Sequence, residues 1–196
     1  MEAIHPKYKT FWRRFFAGIL DGIIISIPLT IIDFIFFYDT TGEERSVTKY
    51  LFSDDRIIDS ASLTLTILHS LILIAYSVYF TGLHGGTLGK KALGITVLSG
   101  EDETSYIGIK RAIIRDLPYI VIEIIGILFI VVSLQGVDGV VDQDNPILRI
   151  LNNLALIWLL AELITMLGNE RRRAIHDILA NSVVVKDVES HERNNK

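Results

Sequence analysis

Four apolar runs, each about as long as a bilayer is thick, dominate this chain and leave little apolar material for a water-soluble core. They cover residues 15–38 (FFAGILDGIIISIPLTIIDFIFFY), 60–82 (SASLTLTILHSLILIAYSVYFTG), 117–134 (LPYIVIEIIGILFIVVSL) and 149–168 (RILNNLALIWLLAELITMLG). A helix rises about 1.5 Å per residue, so about 20 residues cross a ~30 Å hydrocarbon layer. Half of the residues are hydrophobic and the mean hydropathy is +0.42, well above the balance of a soluble domain. The expected fold is all-α: a polytopic bundle of four transmembrane spans. It forms one membrane domain over residues 1–186, followed by a polar tail at 187–196.

The runs carry acids where acids are expensive. Asp21 and Asp33 lie in the first, Glu123 in the third and Glu162 in the fourth, while the second holds His69. A carboxylate at membrane depth costs roughly 2.5–3.5 kcal/mol on insertion scales, so such residues face a protein interior or an ion path. Lys7, Lys9, Arg13 and Arg14 before the first run imitate a signal peptide. That run is too long for one, holds two aspartates and lacks a small-x-small cleavage site. The chain has no cysteine, which excludes disulfides, thiolate metal sites and thiol catalysis.

Charge placement orients the bundle. Lys and Arg collect before span 1, between spans 2 and 3 (Lys90, Lys91, Lys110, Arg111, Arg115) and after span 4 (Arg171, Arg172, Arg173, Lys186). The remaining connections are acidic, with Asp39, Glu43, Glu44, Asp54, Asp55 and Asp59 in one and Asp138, Asp142 and Asp144 in the other. Positive residues stay on the cytoplasmic side. The expectation is an even number of crossings with both termini inside. Lying so close to the membrane, the basic clusters read as topology signals and headgroup anchors, not as a nucleic-acid site.

The inner loop 83–116 contains GGTLGK, which falls short of a phosphate-binding loop. The pattern G-x-x-x-x-G-K-[ST] would need glycine at position 84 and Ser or Thr at 91, where this chain has His84 and Lys91. Gly85, Gly86 and Gly89 instead suit a sharp turn out of span 2. LGITVL (93–98) alternates like a short strand, and the tail repeats the theme with a short amphipathic helix, RRRAIHDILA, followed by SVVVK. Pairing of the two strands as a small cytoplasmic ribbon is the conjecture these patterns allow.

Three blocks, in order, resemble the RDD family of bacterial membrane proteins, named for an arginine and two aspartates. They are FWRRFFAGILDGIIIS, with Arg14, Ala17 and Asp21 at the family's spacing; GGTLGKKALGITV followed by IKRAIIRDL; and RRRAIHDILANSVVV, which places the third signature residue at Asp177. The chain departs from the pattern at Ala180-Asn181-Ser182, where many members have Ala-Gly-Thr. The resemblance implies a bacterial plasma-membrane protein with a link to transport, since some relatives are regarded as monovalent cation/proton antiporters.

Spacing contributes separately. Asp21 lies six residues after Phe15, Glu123 six after Leu117, and Glu162 six before Gly168, so all three reach about 9 Å from the inner boundary. His69 falls nearer the middle and Asp33 toward the outer end. Carboxylate oxygens suit hard monovalent cations, and neighbouring carboxylates cannot all be ionised. Asp21, Glu123 and Glu162 are therefore the expected cation/proton sites, with His69 and Asp33 as pathway candidates. Pro28 removes a backbone hydrogen bond to Ile24 and is expected to kink span 1. Arg14 and Asp21 share a face but stand about 10.5 Å apart along the helix. Arg14 is therefore expected to meet Asp177 from the tail, as a structural clamp or a gate.

The leading expectation is Na⁺, Li⁺ or K⁺/proton antiport in the lipid bilayer by a homo-oligomer, since four helices enclose little protected volume. The alternative is a non-transporting membrane assembly whose buried acids hold helices or subunits together. No catalytic triad or zinc-ligand motif occurs, and His176-Asp177 has no second His/Asp set at ligand spacing. Neither an enzyme nor a cofactor is expected.

Overall fold

A computed structural model of the chain describes residues 5–41, 60–134 and 146–187, with side chains described except at 33–41, 60–62, 133, 134, 148 and 152. Residues 42–59 of one acidic connection, all of the other, and the side chain of Asp33 thus lie outside the described residues. In chain order, a single 3-10 turn (Pro6–Tyr8) leads into helix α1 (Phe11–Thr41) and then α2 (Ser60–His84). The short helix α3 (Leu88–Ala92), strand β1 (Ile95–Ser99) and helix α4 (Gly108–Leu134) follow. Helix α5 (Pro146–Gly168), the short helix α6 (Ile175–Leu179) and strand β2 (Ser182–Lys186) complete the order.

The molecule is mostly helical, and among the described residues three helices are long and apolar enough to cross a membrane. Those segments are Pro6–Ile32, Leu63–His84 and Arg149–Gly168, and only 11–12 % of each is buried. Ile27, Leu128, Val132, Ile157 and Ile164 are all more than half exposed, an outer surface suited to hydrocarbon and not to water. Helix α4 is equally long but carries Arg115, Asp116 and Glu123 along its length. Helix α1 runs on through Pro28, and α4 through Pro118.

The buried core is small and sits at one end of the helices. There β1 and β2 form an antiparallel two-stranded ribbon, with Thr96 opposite Val185, Val97 opposite Val184 and Leu98 opposite Val183. The conjectured ribbon is therefore present. Its inward face, Ile95, Val97 and Val184, packs against Ala17 of α1, Val78 of α2 and Ala112 of α4. Alternation explains the choice of residues, because β1 buries every second side chain.

Two turns make this cap. Gly85 leaves α2 with φ +73°, and a Cβ there would lie 2.5 Å from the Tyr106 ring, so the chain turns here only with glycine. Asn181 takes φ 46° just before β2, and its carbonyl accepts from Gly100 N–H at 2.8 Å. Asparagine tolerates the left-handed region better than most residues. Ala180-Asn181-Ser182 therefore makes this turn without a glycine.

Candidate functional site

Asp177, on α6, is completely buried and draws donors from three other parts of the chain. Arg14 Nη1 reaches its Oδ2 at 2.5 Å, while Arg115 Nη2 and Nε reach its Oδ1 at 3.0 and 3.1 Å. Ala174 N–H donates to Oδ2 at 3.2 Å and Ser182 Oγ to Oδ1 at 3.2 Å. Burial alone would push this carboxyl up, but Arg14, His176 and Arg115 hold it well below the usual carboxylate range. The expected meeting of Arg14 with the tail is thus present. Arg115, which is 4 % exposed, joins it.

Asp21 makes a second clamp. Its Oδ1 accepts from Tyr76 OH at 2.7 Å and from Gly89 N–H at 2.8 Å, and its Oδ2 accepts from Thr87 Oγ1 at 2.5 Å. Short helix α3 has an orphan N–H at its start, and Thr87 makes no side-chain cap bond to it. A carboxylate from α1 does the capping instead. Gly89 permits this approach, because a Cβ there would stand 2.9 Å from Asp21 Cγ.

The other two membrane-depth acids are held more sparsely. Glu162 is 5 % exposed; its Oε1 lies 2.5 Å from His176 Nδ1, and its Oε2 accepts from Tyr119 OH. Glu123 is exposed on a single chain and accepts from Ser70 Oγ at 2.5 Å. Asp21, Glu123 and Glu162, from three helices, line one cavity of about 840 Å³, together with Arg14, Lys90, Arg115, Asp116 and His176. Burial, reinforced by Arg115, pushes the Lys90 ammonium down to about 8 against the opposing pull of Asp116, Asp21 and Asp177.

A family model described as the RDD family matches residues 8–181, and this span contains both clamps. The chain belongs to the RDD family. In this RDD protein Arg14 and Asp177 pair with each other, while Asp21 holds the loop that follows α2. "Uncharacterized protein YxaI" of Bacillus subtilis (strain 168) is 35 % identical to it over 108 residues, covering 52 % of this chain and 70 % of the relative. No solved structure matches it.

The RDD chain brings Asp21, Glu123 and Glu162 to one cavity, whereas His69 is half-buried on α2 and does not line it. Asp33 belongs to α1, with its side chain outside the described residues. Counting only charges at membrane depth overlooks Ser70, Tyr76, Thr87 and Tyr119, the hydroxyls that donate to those acids. The signal available for three of them was a polar group inside an apolar run. In sequence His176 stands in the closing RRRAIHDILANSVVV block and as half of an incomplete metal motif, and Arg115 in the IKRAIIRDL segment and as a topology charge, but neither reading supplies its partner.

Proposed function

We propose that this RDD protein exchanges a monovalent cation for protons across the bacterial plasma membrane. In this reading α4 is a fourth span, both termini and the ribbon are cytoplasmic, and Glu123 and Glu162 are the exchanging groups. One observation carries it: acids from three helices line a shared cavity of about 840 Å³. Ionised carboxylates are hard oxygen ligands, and several in one space disfavour simultaneous charge, so a cation and a proton compete there. Among the described residues Glu123 has a single hydroxyl donor, which leaves lone pairs for a cation. Asp21 is different. Three donors already satisfy it as an anion, which makes it a positioning residue and not the primary ligand.

A second reading, membrane assembly without transport, draws on a specific observation. Asp21 and Asp177 are both saturated by donors, so two of the three signature residues act as fasteners. A second copy of the chain covering the exposed Glu123 would fit either reading and makes a homo-oligomer the proposed state. The test is dissipation of a pH gradient by added Na⁺, Li⁺ or K⁺ in everted vesicles lacking native antiporters. Antiport predicts a response well above empty-vector vesicles at neutral to alkaline pH, and assembly predicts none.

A further inference from the structure

His176 stands where the buried ion pairs of the cap meet the cavity. Arg115 Nη2 lies 3.0 Å from its Nε2. A guanidinium has donors only, so Nε2 must accept, and the neutral ring must carry its single hydrogen on Nδ1. That hydrogen is directed at Glu162 Oε1, 2.5 Å away. Nε2 also lies 3.5 Å from Asp177 Oδ1, so a proton added at Nε2 finds a carboxylate close by. Arg115 can yield this position without leaving Asp177, because its Nε donates to the same Oδ1 at 3.1 Å. The imidazole is 16 % exposed, which gives water access to it.

We propose that His176 carries protons between the cytoplasmic side and Glu162, with Arg115 and Asp177 alternating as partners of its Nε2. The relay rests on the antiport reading. A proton from water binds the Nε2 lone pair, and the new N–H turns from Arg115 to Asp177 Oδ1. The Nδ1–H bond then breaks as an O–H bond forms on Glu162 Oε1. This leaves a neutral acid and a neutral ring protonated on Nε2. In the reverse sequence the Glu162 O–H bond breaks as the Nδ1–H bond re-forms, and Nε2 then releases its proton to water, which delivers one proton to the cytoplasm and returns the ring to its starting tautomer. The charged and titratable groups around the ring are Glu162 on α5, Arg115 and Tyr119 on α4, Asp177 on α6 and, behind it, Arg14 on α1. Lys90 lines the same cavity.

The test uses the full chain in two measurements. In proteoliposomes, His176→Asn keeps an amide donor toward Glu162 but cannot take up a proton. Its Na⁺-driven proton flux should fall at least about 10-fold, with the thermal midpoint close to wild type. His176→Ala should show the same loss and recover part of it on addition of imidazole. In micelles, nitrogen NMR of histidine-labelled wild type at alkaline pH should show His176, assigned by its absence from the variant, as the Nδ1–H tautomer. An Nε2–H ring, or wild-type flux in His176→Asn, overturns the relay while leaving antiport standing. A wild type that moves no protons in response to cations overturns the antiport reading, and the relay with it.

Discussion

Arg14 and Asp177 are 163 positions apart in the chain, and their Nη1 and Oδ2 atoms are 2.5 Å apart. This pair, shared with Arg115, fastens the tail helix to α1 and α4. Asp177→Ala would leave two arginines buried without their acid. Breaking a buried pair from one side costs about 3–5 kcal/mol. A large drop in the denaturation midpoint in detergent is expected for Asp177→Ala, and a smaller one for Asp177→Asn, which still accepts through its amide oxygen. An unchanged midpoint in Asp177→Ala would show that the clamp is not structural.

The same pair sets an acid limit. Asp177 is held well below the ordinary carboxylate range in the folded chain, so the unfolded chain binds its proton first as pH falls. The stability it supplies is complete above the unfolded value of about 3.9 and is lost as pH falls through the depressed folded value. Acid melts of wild type should therefore be steeper than those of Asp177→Asn in that window.

Gly89 is predicted to be intolerant of alanine. The added methyl would run into the Ala17 carbonyl oxygen and meet Asp21 Cγ at 2.9 Å, forcing α3 away from α1 and breaking the cap on Gly89 N–H. Leaving that donor unsatisfied costs about 1–3 kcal/mol. Gly18→Ala has open space around it and serves as the control. Equal midpoints for the two variants would refute the Asp21 clamp.

Lys90 predicts a rise in stability on the alkaline side. Its folded value is about 8, and its unfolded value is about 10.4. Between those limits the unfolded chain still holds a proton that the folded chain has released, so stability climbs with pH. The climb should disappear in Lys90→Met, as read from thermal midpoints at a series of alkaline pH values.

Local pattern made much of this legible in the sequence. Apolar runs located the long helices, alternation located β1 and β2, and the spacing of Arg14 and Asp21 argued against a direct pair and toward Asp177. Depth arithmetic grouped Asp21, Glu123 and Glu162 because axial position depends only on residue count. What it could not supply was azimuth and partnership. Whether Asp21 faces lone pairs or donors depends on where Tyr76, Thr87 and Gly89 arrive, and that follows from the Gly85 turn. Arg115 and His176 stayed hidden for the same reason, since their roles exist only once the tail folds back onto α4.

In the proposed exchange a cation and a proton compete at the cavity acids, above all at Glu123. It is tested most directly by the internal pH of proteoliposomes containing only this chain, followed after a step in external Na⁺. Wild type should turn the lumen alkaline as Na⁺ enters and protons leave, and Glu123→Gln, folded to the same midpoint, should not. A wild type that gives no response, or a Glu123→Gln trace equal to wild type, would contradict the account.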